Sequence, residues 1–282
     1  MKKVDIIVAT HKKYDMPSDS IYLPLQVGAA YGKELGYKKD NTGDNISYKN
    51  PYYCELTGLY WAWKNLNSDY VGLVHYRRYL SIMKATKSVK ETLSRVLSKK
   101  QLEKLIDNPD KSQNYDLILP KKRNYIIETL YSHYEHTLHI DPLNLTRDII
   151  AEKSPEYLAE FDRIQERRSA HMFNMMIGKK EIIDKYCEWL FDILFELEEE
   201  IKRSNNPKLY DKFHSRFYGR ISELLFDVWL YTNYPEAKND LENKYIRIKE
   251  LRVVDVEGTK WFKKGINLLF AKFFGKKYGK SF

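Results

Sequence analysis

Apolar positions along the chain gather into short runs, and three of these end in dense blocks of basic and aromatic residues. Residues 4–10 (VDIIVAT) lead into His11, Lys12, Lys13 and Tyr14. Residues 70–74 lead into His75, Tyr76, Arg77, Arg78 and Tyr79. Residues 115–120 (YDLILP) lead into Lys121, Lys122 and Arg123, with Tyr125 close behind. Short apolar runs bounded by polar residues read as buried strands. Helical spacing dominates elsewhere. Residues 51–66 place Leu56, Leu59, Tyr60 and Trp63 on one face, and residues 84–112 form a lysine- and serine-rich helical excursion. Residues 180–200 carry the clearest amphipathic stripe, from Ile182 to Leu197. Ile221, Leu224, Leu225, Val228 and Trp229 make the apolar face of a further helix. Ser154-Pro155 predicts a capped helix start, residues 171–178 read as a strand, and residues 244–256 alternate enough for one or two late strands. Residues 15–50, rich in Gly, Pro, Asn and Asp, read as a long irregular region. The class is α/β, a mixed sheet flanked by helices.

In open α/β sheets, ligands bind outside the carboxyl ends of the strands. The block at 75–79 therefore suits an anionic, hydroxyl-rich ligand, because guanidinium forks match phosphate oxygens. Arginines that merely solvate a strand end would give the same letters. The second basic block, at 121–125, strengthens the ligand reading. Glu55 falls near a helix start, where a carboxylate can simply offset the helix dipole. Residues 208–231 set Arg216, Arg220, Glu223 and Asp227 three or four apart. A carboxylate held beside arginines can act as a general base, although the same spacing produces surface ion pairs worth only about 0.3 kcal/mol each. His133, His136 and His139, with Glu135 among them, raise a metal site. Their spacing drifts around a helix and is not HExxH, so acceptor contact by one of these histidines is preferred.

Composition narrows the classes. A hydrophobic fraction of 43% with 31% charged residues describes a globular chain, and 23 tyrosines suit sugar stacking as well as interfaces. Cys54 and Cys187 lie far apart, which argues against a disulfide framework and for a reducing compartment. No secretory signal or membrane span is visible, so the expected location is cytoplasmic. Of the net +9, seven charges are lysines after Gly258, unaccompanied by any acid. Residues 1–258 thus form a nearly neutral domain, and residues 259–282 a basic amphipathic tail. Trp261, Phe262, Ile266, Leu269, Phe270 and Phe273 give that tail the pattern of a helix lying on an anionic membrane surface, at the inner face of the cell membrane. A nucleic-acid-binding protein would spread basic residues over one face of the body, which the near-neutral body does not favour.

The stretches IIVATHK, YLPLQVGAA, ELTGLYWAWKN, YVGLVHYRRYL and RFYGRISELLFDVWL together resemble the DUF4422-type bacterial glycosyltransferases of capsule, exopolysaccharide and O-antigen gene clusters. The resemblance spans nearly all of residues 1–258 and implies a GT-A-like, Rossmann-related domain. It implies a UDP-sugar donor, with galactofuranose or galactose as first guess, and a lipid-linked oligosaccharide acceptor. On this reading Arg77 and Arg78 stabilise the leaving diphosphate, and Glu223 is the base. Thr10, His11, Glu55, His75, Tyr76 and Arg220 contact the nucleotide sugar, and His133, His139 and Arg216 the acceptor. Most GT-A enzymes bring a divalent metal on a D-x-D at a strand end. Here HYRRY stands in that place, so no metal ligand is assigned. A metal-dependent hydrolase built on the histidine region, or a non-enzymatic nucleic-acid binder, is the competing reading.

Overall fold

A computed structural model of the chain describes residues 2–204 and 216–257. The basic tail, 259–282, and the first part of the 208–231 constellation lie outside the described residues.

The chain opens with β1 (Val4–Thr10), β2 (Tyr22–Gln26) and β3 (Lys38–Lys39), then α1 (Asn50–Tyr53) and α2 (Leu56–Asn65). There follow β4 (Tyr70–His75), β5 (Arg78–Ser81), α3 (Val89–Leu93), α4 (Lys99–Ile106), β6 (Leu117–Pro120) and β7 (Arg123–Asn124). Next come α5 (Leu130–Thr137), α6 (Asp141–Lys153), α7 (Leu158–Glu166), β8 (Ser169–Ala170) and β9 (Met176–Lys179). The described part ends with α8 (Lys180–Ser204), α9 (Phe217–Asn233) and β10 (Ile248–Asp255).

One mixed sheet runs β3-β2-β1-β4-β5-β10-β6-β9. Its first four strands are parallel. β9 also pairs antiparallel with β4, so β4, β5, β10, β6 and β9 close into a small five-stranded barrel. Two glycines permit this closure. A Cβ at Gly72 would stand 2.8 Å from Ile177, and one at Gly178 would stand 2.5 Å from Leu117. The strand β1 shows why the sheet is buried on both faces. Ile7 and Ala9 join the core under α2, α8 and α9, while Ile6 and Val8 join the opposite core with Leu97, Leu102 and Ile106.

The structure departs from the expectations in four places. The irregular region 15–50 contains β2 and β3; Pro24 inside β2 hid the strand, since proline usually marks a strand edge or break. The single helix over 51–66 is two, broken at Cys54, which adopts φ +53. Ser154 makes no side-chain cap, and its segment starts as a 3-10 turn before α7. Residues 171–178 form a strand only from Met176, because Phe173 and Asn174 both take left-handed conformations. The late segment, expected to hold one or two strands, holds one. The polar block at 75–79 is also tighter than a loop: His75 pairs with Arg78, and Tyr76-Arg77 is the turn of a hairpin.

Candidate functional site

The carboxyl ends of β1, β4, β6 and β10 meet the starts of β5, β9, α2 and α9. From β1, Thr10 is fully buried, and its hydroxyl donates to the carbonyl of Lys12 at 2.6 Å, shaping the turn that exposes His11. The His11 ring stands edge-on to Tyr76, with centroids 5.3 Å apart. Burial lowers the pKa of His11, and the neighbouring charges of Lys12, Arg216 and Arg77 lower it further. The imidazole is therefore neutral amid cations. Lys12 and Arg77 both stack on Tyr76.

His75 at the end of β4 donates from Nε2 to the carbonyl of Phe173 at 2.5 Å. Burial lowers its pKa, so it too is neutral. Both arginines of the hairpin are engaged by acids that follow β10. Arg77 lies 2.8 Å from Glu257, which also accepts from the Tyr14 hydroxyl at 2.7 Å. Arg78 lies 3.7 Å from Asp255 and stacks on Phe173.

The break between α1 and α2 turns Glu55 inward. Its carboxylate caps no helix N–H; it accepts from Asn174 Nδ2 at 2.8 Å. Asn174, buried and left-handed, also donates to the carbonyl of Gly219 and accepts from Ser222 Oγ, both on α9. One strained residue therefore ties α2 and α9 to the start of β9. Residues held at φ > 0 cost about 1–3 kcal/mol each and concentrate at functional sites. Among the described residues, three of the four such non-glycine residues, Cys54, Phe173 and Asn174, cluster around this junction. Cys54 is not a nucleophile. Burial pushes its thiol up to about 11, and its Sγ accepts from Arg216 Nε at 3.0 Å.

Glu223, the seventh residue of α9, lies at the centre. Burial raises its pKa to about 7; Arg220 pulls against that rise, Glu55 adds to it, and Arg123 and Arg78 also pull it down. A carboxyl poised near neutrality beside cations has the properties of a general base. The surface ion-pair ladder that the spacing allowed does not form: Arg216 holds Cys54, and Asp227 is fully buried.

On the far side of Glu223, Tyr125 has the Arg123 guanidinium 4.8 Å from its ring and the His133 ring 4.2 Å away. His133 and His136 do not converge on a metal with Glu135. Their Nδ1 atoms lie 2.9 and 2.7 Å from the two oxygens of buried Glu128. Burial would raise the Glu128 pKa, but the two imidazoles hold it below its ordinary value. Among the described residues, no group of three or more His, Cys, Asp and Glu side chains is arranged to hold a metal ion. His139 lies beyond the end of α5, in the turn into α6.

The structure thus brings together Thr10, His11, Glu55, His75, Tyr76, Arg77, Arg78, Arg216, Arg220, Glu223 and His133. It sorts the two α9 arginines by side. Arg216 joins His11 and Cys54, whereas Arg220 acts on Tyr125 and His133. Sequence reasoning missed Asn174, Glu128 and the carboxylates Asp255 and Glu257. It also missed His171, whose Nδ1 lies 2.5 Å from Asp227 and Nε2 3.0 Å from Glu250. Burial alone would lower the His171 pKa, but the two carboxylates outweigh it and raise it. This clamp fastens α9 to β8 and β10. By linkage its stabilisation is full below the ordinary histidine pKa of 6.5 and is lost as pH rises through the raised value. Apart from the left-handed tolerance of Asn, no local signal marked these residues.

No described helix is long and apolar enough to cross a membrane. The family model described as a domain of unknown function, DUF4422, matches residues 5–234. No functionally curated protein matches the chain. Among solved structures, the apo form of the WbbM bifunctional glycosyltransferase is similar, with a TM-score of 0.76 and 31% sequence identity. The likeness covers 91% of this chain and 46% of that one, so this chain spans just under half the length of WbbM.

Proposed function

The chain belongs to the DUF4422 family, and on that footing we propose that it is a glycosyltransferase. It moves a sugar, galactofuranose or galactose as first candidates, from a UDP-sugar to a hydroxyl of a lipid-linked oligosaccharide. The observation that carries the reading is Glu223: a carboxyl near pKa 7, acted on by Arg220, Arg123 and Arg78, beside the carboxyl ends of the strands. The likeness to a bifunctional glycosyltransferase over most of this chain supports the same class.

The reaction follows as an inverting displacement. The acceptor oxygen attacks the anomeric carbon while Glu223 accepts its proton. The bond from that carbon to the diphosphate breaks, and UDP leaves with the electron pair. Negative charge grows on the diphosphate, where preorganised cations stabilise it most. Arg77, Arg78 and Arg216 surround that position, with His11 and Tyr76 against the nucleotide and His75 and Glu55 against the sugar. These cations take up part of the electrostatic work that an aspartate-bound metal performs in D-x-D enzymes. The hydrolase alternative would place a metal on the histidine region, where His133 and His136 bond Glu128 through Nδ1.

A thermal-shift screen of UDP, GDP, CMP and dTDP, each in excess chelator, tests the donor class. Selective stabilisation by UDP is expected, since a ligand that binds only the folded state raises the melting temperature. Stabilisation by none of the four would refute the reading.

A further inference from the structure

Resting on the glycosyltransferase reading, we propose that the turn between β7 and α5, with Arg220 of α9, seats the phosphorylated lipid end of the acceptor. The anionic group lies on Arg123 and Arg220, and its hydrocarbon chain on Ile126 and Ile127.

Two observations carry this. The first is charge held in no direct pair. Arg123 and Arg220 both act on Tyr125, His133 and Glu223, yet among the described residues neither forms an ion pair within 4.0 Å. Glu128, a buried acid that acts on the same Tyr125, is occupied by two imidazoles. Arg168 adds a cation beside the turn, donating from Nη1 to the carbonyl of Ile126. Forked guanidinium groups not held in a direct carboxylate pair suit phosphoryl oxygens.

The second is an apolar lip built next to that charge. Ile126 is 72% exposed and Ile127 41%. Ile126 is held at φ +58, a conformation that β-branched residues very rarely adopt. The turn is nonetheless firmly made: the Ile126 N–H donates to Asn124 Oδ1 at 2.8 Å, and the Ile127 N–H donates to the carbonyl of Tyr125 at 2.6 Å. A tied-down backbone that presents isoleucine to solvent beside arginines matches a ligand with an anionic head and an apolar chain. A free sugar phosphate would use only the arginines, and a neutral glycan neither feature.

The test is calorimetric titration of octyl diphosphate into the full-length protein at saturating UDP, so that the donor position is filled. Arg123→Gln should weaken binding by about tenfold. Ile126→Asn, which suits a left-handed position and so preserves the turn, should weaken it by about fivefold. Octyl β-D-galactopyranoside, lacking phosphate, should bind the wild type and Arg123→Gln alike. Inorganic pyrophosphate should bind more weakly than octyl diphosphate, with no dependence on Ile126. Equal binding of octyl diphosphate to the wild type and Arg123→Gln would overturn the proposal, as would its complete displacement by UDP. Pyrophosphate binding as tightly as octyl diphosphate would remove the lipid from it. Failure of the transferase reading looks different: UDP itself would not bind, while octyl diphosphate still depended on Arg123 and Ile126.

Discussion

Arginines approach Glu223 from two directions, and the two groups differ in how their charge is balanced. On the hairpin side, Arg77 and Arg78 face Glu257 and Asp255. On the Tyr125 side, Arg123 and Arg220 form no direct ion pair among the described residues; they lie with an aromatic ring and a neutral imidazole and act on Glu223 through space. A half-exposed arginine paired with a carboxylate contributes little net field. Such pairs are worth about 0.2–1 kcal/mol and exchange readily for a ligand of higher charge. An unpaired arginine near a half-buried carboxyl acts continuously: it lowers the carboxyl pKa and leaves a site for an anion. The paired group is thus suited to release its acids when a diphosphate arrives. The unpaired group is suited to tuning Glu223 and holding a second anion.

Removing the residue between the two groups has the largest expected effect. Glu223→Gln should lower the transfer rate by about 10³-fold with an unchanged melting temperature. A steady-state rate within tenfold of the wild type would remove Glu223 from the role of base. Next comes the unpaired side. Glu223 must be deprotonated to act, so activity should rise with pH through about 7. Arg220 lowers that pKa, and Arg220→Gln should move the acid limb of the pH–rate profile upward while cutting the neutral-pH rate by about tenfold. An unmoved limb would show that Arg220 does not tune the base. The smallest effect belongs to the paired side. Glu257→Gln frees Arg77, so UDP should bind about threefold tighter in calorimetry. Weaker binding would mean that Glu257 shapes the site rather than competing with the ligand.

Much of the site could be read from the letters. The runs ending at Thr10, Val74 and Pro120 delivered their basic blocks to one end of the sheet because strand polarity is a local consequence of a parallel start. Glu223 and its arginines were visible as a helical spacing. What the spacing could not show was the environment. The same interval of three or four residues describes a solvated ladder or a carboxyl withdrawn from solvent, and only the tertiary surroundings of α9 decide between them. Glu55 illustrates the point. Its place near a helix start suggested a dipole partner, but a left-handed Cys54 redirects it to Asn174, a residue 119 positions away. The histidines near 133 suggested a metal because their spacing was regular. Glu128, five residues upstream and buried, claims two of them instead.

By itself, then, the sequence determined the α/β class and the strand ends that carry the cations. Hydrophobic period and residue chemistry are local properties, so these could be read directly. Only the tertiary structure decided that β9 closes a barrel against β4 and that His171 clamps α9 between Asp227 and Glu250. It also decided which arginines meet an acid. Charge balance, pKa and strain depend on neighbours brought together across long stretches of chain, and no local pattern encodes them.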